Sequence, residues 1–197
     1  MSQLRFLWVR SDIQGQTLMA SSKSQPAELD WHAGIFRALK AADVRQIPYV
    51  PDAGHTDLIR AADADPQMKA YPLTTEEEGI AAASGAWLGG ERAVILMQSS
   101  GVGNCINMLS LIASCRFPFV ALVTMRGEWA EFNPWQVPMG RATQGALELM
   151  GVSVRRVTDK SQAEGEVAAA LDDAFLSEQP VAVLFSQSLI GRKTWVK

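Results

Sequence analysis

Three consecutive carboxylates, Glu76, Glu77 and Glu78, stand at the head of an apolar run in "LTTEEEGIAAASGAWLGG", residues 73–90. Acids belong in the first turn of a helix, where they face unpaired backbone N–H groups and the positive end of the dipole. Thr74 with Glu77, and Thr75 with Glu78, each have the spacing of a capping box. Successive helical residues are turned by about 100°, so the three side chains cannot all be solvated alike. The rest of the helix, "GIAAASGAWL", is small and apolar enough to be buried over most of its surface. One carboxylate is therefore expected to face a dry environment, where burial favours the protonated form and lets an acid hold or share a proton near neutrality.

A second stretch able to do chemistry is "SSGVGN", which follows the continuous apolar run "AVILMQ" and opens the next helix. Gly101 and Gly103 permit a tight turn and leave backbone N–H groups free for a polar or anionic ligand. The pattern is not a dinucleotide fingerprint, since Ile106 occupies the place of the third small residue. Neither is it a nucleophile elbow, because Gln98 and Met97 sit where that motif requires glycine, and it lacks the lysine of a P-loop. A plain strand-to-helix turn and a ligand loop both fit it. A Rossmann-like module that holds a nucleotide here by itself is the competing functional reading.

Two more stretches complete the candidate site: the turn Pro51-Asp52-Ala53-Gly54 with His55, and the loop "RGEWAEFNPWQVP" that begins at Arg126. All four follow predicted strands, and ligands of open α/β sheets bind at the strands' carboxyl ends. The strands are "QIPYV", "KAYPL", "AVILMQ", "FVALVTM", "VSVRRV" and "PVAVLFS". Pro72 ends the second of these or places it at an edge. Helices alternate with them: one opened by Pro26 with Ile35, Leu39 and Ala42 on a face, then Thr56–Ala64, then the Glu-led helix to about Leu88. They continue from "SSGVGN" through "CINMLSLIAS", over residues 139–150 with Gly151 as the stop, and along "AEGEVAAALDDAFLS". This alternation predicts an α/β fold, a doubly wound, mostly parallel six-stranded sheet with helices on both faces. Residues 1–25 read as an N-terminal arm docking through Phe6, Leu7 and Trp8, and residues 26–197 as one domain.

At 197 residues and 48% hydrophobic content the chain suits one well-buried domain. A formal charge of −3, with no run of Lys or Arg, argues against nucleic acid and anionic membrane as partners. Cys105 and Cys115 fall in one predicted helix and its exit, too far apart for a disulfide. With His32 and His55 as the only histidines there is no zinc-ligand spacing, so no metal site is expected on this chain. A reducing cytoplasm is the expected location, and no apolar run reaches the roughly 18 residues of a membrane span.

Taken together, "EEEGIAAASGAWL", a strand, and "SSGVGN" resemble the pyrimidine-binding domain of thiamine diphosphate enzymes. That domain's pattern is a Glu two residues before a Gly, an Ala-rich helix, a strand and a Ser/Thr-Gly-x-Gly turn. The ordered set "VPD", "EEEG", "LMQSSGVGN", "RGE" and "PMG" is similar to the alpha subunit or N-terminal half of sulfopyruvate and phosphonopyruvate decarboxylases, over roughly residues 26–186. The resemblance implies that Glu77, ahead of Gly79, is the dry acid that hydrogen-bonds N1′ of the cofactor's aminopyrimidine. Glu76 and Glu78 are then left as cap and surface groups. It further implies that Pro51, Asp52, Ser100, Gly101 and Asn104 lie by the cofactor, and that His55, Asn104 and Arg126 lie by the substrate, Arg126 on an anionic tail. "VPDAGHTDLI" departs from the family's serine and leucines after "VPD", so a helix-start surface histidine competes for His55. Trp129, Phe132 and Trp135 are expected in interface or lid packing. The family's diphosphate half carries a Gly-Asp-Gly, which this sequence lacks. The implied assembly is an α2β2 complex whose diphosphate-binding beta subunit supplies the Mg2+ ligands.

Overall fold

A computed structural model describes residues 30–192; the arm expected over residues 1–25, and Pro26, lie outside them. Asp30 caps α1 (Trp31–Ala41) by accepting the N–H of Ala33 at 3.0 Å. Along the chain the strands are β1 (Val44–Tyr49), β2 (Lys69–Pro72), β3 (Arg92–Ala93), β4 (Ile95–Gln98), β5 (Phe119–Thr124), β6 (Ser153–Val157) and β7 (Pro180–Phe185). They form one parallel sheet in the order β2-β1-β4-β5-β7-β6, with the two-residue β3 paired to β1. The predicted strand "AVILMQ" is thus divided, because the register against β1 shifts between Val44 and Gln46. Pro72 does end an edge strand, where its missing donor costs no ladder bond.

Period-two alternation splits the interior into a core on each face. Val94, Leu96, Val120, Leu122, Val181 and Val183 meet α1, α2 (Thr56–Ala64) and α7 (Ala163–Ser177). Ile95, Met97, Ala121, Val123, Ala182 and Leu184 meet α3 (Glu76–Leu88), α4 (Ser99–Cys105), α5 (Leu109–Cys115) and α6 (Gln136–Leu149). A sheet buried on both sides needs apolar residues at every position, hence the continuous runs that marked β4, β5 and β7.

The helix predicted through "CINMLSLIAS" is interrupted at residues 106–108. There the N–H groups of Ser110 and Leu111 turn to the carbonyls of Asn107 and Met108, a three-residue spacing. Cys105 is buried, Cys115 is exposed, and both are free thiols. Helix α6 starts three residues earlier than expected, since Pro138 in a first turn forfeits no helical bond. Gly151, at φ +81, follows its C-cap as expected. A short α8 (Gln187–Ile190) after β7 was not anticipated. Among the described residues no helix is long and apolar enough to cross a membrane.

Candidate functional site

From β1 the chain steps to β2 on one side and returns to β4 on the other, so strand order reverses between β1 and β4. At such a point the following loops diverge to opposite faces and leave a crevice at the carboxyl edge. Around it meet the loop after β1, the N-terminus of α3 after β2, and the N-terminus of α4 after β4.

Burial separates the three glutamates, and not as expected. Glu76 is 8% exposed, Glu77 is half-buried and Glu78 is exposed. Helical phase sets the order: Glu76 lies three, four and seven residues before Gly79, Ile80 and Ala83, all buried, whereas Glu77 lies three and seven before buried Ile80 and Ser84 but four before the exposed Ala81. Neither capping box forms. Thr75 is the N-cap but makes no side-chain cap bond, and Glu78 reaches back to accept the N–H of Thr74 at 2.9 Å. Glu76 is the most buried of the three, and Glu77 keeps part of its surface open at the start of α3.

Two residues of α4 fix the Glu76 carboxylate. Asn104 Nδ2 donates to Oε2 at 2.8 Å. The carboxyl group lies against the bare Cα of Gly101, where a Cβ would overlap Oε1, Cδ and Cγ of Glu76. Beside it, burial together with the charges of Glu76 and Glu77 pushes the Cys105 thiol up to about 12, which excludes this cysteine as a nucleophile.

Asp52 ties the loop after β1 to the neighbouring strand ends. Its Oδ2 accepts the N–H of Gly54 at 2.9 Å and the hydroxyl of Thr124 at 2.7 Å, while Oδ1 accepts Gln98 Nε2 at 2.8 Å. Gln98 Oε1 in turn accepts the hydroxyl of Ser100 at 3.0 Å. The chain Thr124–Asp52–Gln98–Ser100 thus spans the ends of β5, β1 and β4 and holds the crevice walls in register. Pro51, Asp52, Tyr49 and Thr56 line a groove of about 410 Å³ next to it, with Arg60 at its rim.

His55 corrects both expectations placed on it. It precedes α2 as a helix-start residue, yet it is 1% exposed, neither at the surface nor open to a substrate. Its Nε2 lies 3.3 Å from the carbonyl of Met97 and 3.0 Å from that of Leu122, so this nitrogen carries the proton and joins β4 to β5. Burial lowers its pKa to about 4, against the opposing pull of Asp52.

Arg126 is likewise committed elsewhere. Its Nε and Nη2 each donate to Glu131 at 2.6 Å in a bidentate pair whose side chains are 8% and 3% exposed, and its guanidinium covers the Phe132 ring. That pairing holds the Glu131 carboxyl down at about 2. An anionic tail finds this charge already met. Gln187 fastens the same loop, its Oε1 accepting the N–H groups of Glu128 and Trp129 and its Nε2 donating to Glu131. Trp135 and Trp129 stay exposed on it, at 83% and 45%.

The crevice brings together the start of α3, with Glu76 and Glu77, and Ser100, Gly101, Asn104, Pro51 and Asp52, and leaves His55 and Arg126 in supporting positions. Not anticipated were the contacts of Gln98, Thr124, Glu131 and Gln187, which owe their places to partners 46 to 72 residues away in sequence, or to the loop's own turn.

Residues 30–146, more than half of the chain, match the model of the thiamine pyrophosphate enzyme N-terminal TPP-binding domain, and the chain belongs to that family. Over 162 residues it is 33% identical to the sulfopyruvate decarboxylase subunit alpha of Methanothermobacter thermautotrophicus, a match covering 82% of this chain and 98% of that one. It is also 33% identical to the phosphonopyruvate decarboxylase of Streptomyces viridochromogenes over 81% of this chain, but spans only 41% of that protein. In fold it resembles a 2-oxoglutarate:ferredoxin oxidoreductase from Magnetococcus marinus with a TM-score of 0.68 at 16% identity, over 85% of this chain and 33% of that one.

The site fits the pyrimidine end of thiamine pyrophosphate. Two carboxylates, Glu76 and Glu77, border it at the start of α3, and the missing side chain at Gly101 lets α3 pack closely against α4 there. Among the described residues there is no cluster of His, Cys, Asp and Glu able to hold a metal ion.

Proposed function

We propose that this chain is the cofactor-activating, alpha-type subunit of a heteromeric thiamine diphosphate-dependent decarboxylase acting on a 3-substituted pyruvate, sulfopyruvate first and phosphonopyruvate second. The relative matched over nearly its whole length supports both the subunit type and the substrate class. One observation carries the chemistry: Glu77 stands two residues before Gly79 in the first turn of α3, half-buried and close enough to α4 for its charge to act on Cys105.

Bound thiamine diphosphate supplies the electron sink for loss of carbon dioxide. Glu77, the glutamate two residues before Gly79, would hydrogen-bond N1′ of the aminopyrimidine. Glu76, tied to Asn104 and packed on Gly101, braces the start of α3 against α4, and Ser100 and the Pro51-Asp52 turn border the ring. Asp52, with three donors directed at it, is a fixed acceptor and shapes the pocket. The diphosphate and its Mg2+ are placed on a companion diphosphate-binding beta subunit in an α2β2 assembly. The tail-binding role expected of Arg126 is not carried forward, because Glu131 neutralises it.

The test is to coexpress the chain with its diphosphate-domain partner and measure carbon dioxide release with thiamine diphosphate and Mg2+. Glu77→Gln is expected to lower turnover by about 100-fold or more, the usual worth of a general acid–base group, and Glu78→Gln to stay within a few-fold of wild type. Equal turnover by Glu77→Gln and wild type would refute the assignment.

A further inference from the structure

We infer that Gln136 reads the anionic tail of the substrate, as a neutral amide that selects a sulfonate over a phosphonate; this rests on the reaction proposed above. Among the described residues its Oε1 is the only buried side-chain oxygen or nitrogen that meets no hydrogen-bond partner. Buried amides are nearly always bonded, since an unmet polar atom gives up its water and gains nothing in return. Nothing holds this oxygen in place. The half-turn of the amide that brings Nε2 to the same spot therefore breaks no bond at Oε1, and the group can donate there to an anion.

The loop before α6 is built to hold Gln136 still. Asn133 Oδ1 accepts the N–H of Trp135 at 3.1 Å and the Asn133 carbonyl that of Gln136 at 3.0 Å, while the N–H of Asn133 is tied to Glu131 at 3.0 Å. The start of α6 rests on the chain that leaves β5: the backbone of Gln136 and Val137 covers the bare Cα of Gly127, three residues beyond Thr124. One turn on, Met139 packs at Gly103 of α4. Gln136 thus stands at the carboxyl edge of the sheet, where the charge of Arg126 is already met by Glu131. An amide brings a donor and no charge. A sulfonate is a single, spread negative charge that such a donor suits, whereas a phosphonate, like a phosphate, carries about −1.5 to −2 at neutral pH and calls for cations.

The experiment uses the coexpressed complex with thiamine diphosphate and Mg2+. Calorimetry gives Kd for the unreactive 3-sulfopropanoate, 3-phosphonopropanoate and propanoate, kcat/KM is measured for sulfopyruvate, phosphonopyruvate and pyruvate, and a thermal melt checks the fold. Wild type is expected to bind 3-sulfopropanoate most tightly. Gln136→Ala should weaken that binding about tenfold, the worth of one hydrogen bond to a charged group, and lower the kcat/KM ratio of sulfopyruvate to pyruvate by the same factor. Gln136→Glu, of the same shape, should lower both further by repelling the tail, and Gln136→Arg should turn the preference toward the phosphonate. An unchanged ratio in Gln136→Ala, or an equal loss for tailed and untailed substrates, overturns the assignment. So does a Gln136→Ala complex that falls apart while the assembled fraction binds 3-sulfopropanoate as wild type does, which would give the amide's partner to the companion chain. A wild-type complex that binds 3-sulfopropanoate through Gln136 yet releases no carbon dioxide upholds the tail site and refutes the decarboxylase reading instead.

Discussion

The carboxylate of Glu76 sits under opposed demands, since a helix start attracts negative charge while a dry crevice penalises it. Gly101 decides the balance by letting α3 and α4 approach until the carboxyl rests on bare backbone. Gly101→Ala should therefore displace the one side chain it touches. Its Cβ meets the far end of a flexible residue, so we expect a stability cost of about 1–3 kcal/mol with turnover falling as the start of α3, and Glu77 with it, is pushed off α4. Gly103→Ala, whose Cβ would meet only the Met139 sulfur at 3.0 Å, should keep most of its activity. Thermal melts and carbon dioxide release on both variants decide it; an active Gly101→Ala would show that the close approach is not needed. That one of the three acids is buried was legible in the sequence; that it is Glu76 was not, because its partners Gly101 and Asn104 come from a helix that only packing brings near.

Strands and loops carry their own titrations. His55 joins the carbonyls of β4 and β5 while neutral. Its folded pKa, about 4, lies below the ordinary 6.5, so between these values the unfolded chain binds the extra proton and stability falls as pH drops from about 6.5 toward 4. The full effect is on the order of 3 kcal/mol. Urea unfolding at pH 7.5 and pH 5 should show a loss in wild type that is largely absent in His55→Gln; parallel losses would remove His55 as the cause. Glu131 works lower on the scale. Its carboxyl is depressed to about 2 from 4.5, so its contribution is complete above about 4.5 and is lost as pH falls toward 2. Glu131→Gln leaves Arg126 as a buried charge without its counter-ion, at a cost of about 3–5 kcal/mol, which a melting curve at pH 7 will register. Neither role was visible in sequence. Periodicity located β4, β5 and β7 because both faces of those strands are apolar, but a histidine turned inward from a loop and an ion pair closed over five residues leave no periodic trace. The division of "AVILMQ" and the break in "CINMLSLIAS" were missed for the related reason that register shifts and three-residue bonding follow from neighbours, not from composition.

At the scale of the molecule, the proposed function places one end of a two-ended cofactor at the crevice, by Glu77 and the Asp52 turn. The described residues hold no metal-binding cluster and the sequence has no Gly-Asp-Gly. A diphosphate with Mg2+ contributes affinity through charge-assisted bonds and coordination, while a stacked ring with one polar contact contributes far less. Each end held by a separate chain also bears its own ordering cost, which is met once when the two surfaces are already joined. The free chain should therefore bind thiamine diphosphate with Mg2+ weakly, in the millimolar range expected of a few exposed contacts, and the assembled complex at least 100-fold more tightly. Glu77→Gln should weaken binding in the complex only modestly, since most of the affinity lies at the other end, even as turnover falls by about 100-fold or more. Calorimetry on the free chain, the companion and the complex separates these terms. Micromolar binding by the free chain would place the diphosphate on this chain and sink the heteromeric reading, while leaving the assignment of Glu77 to be judged on its own kinetics.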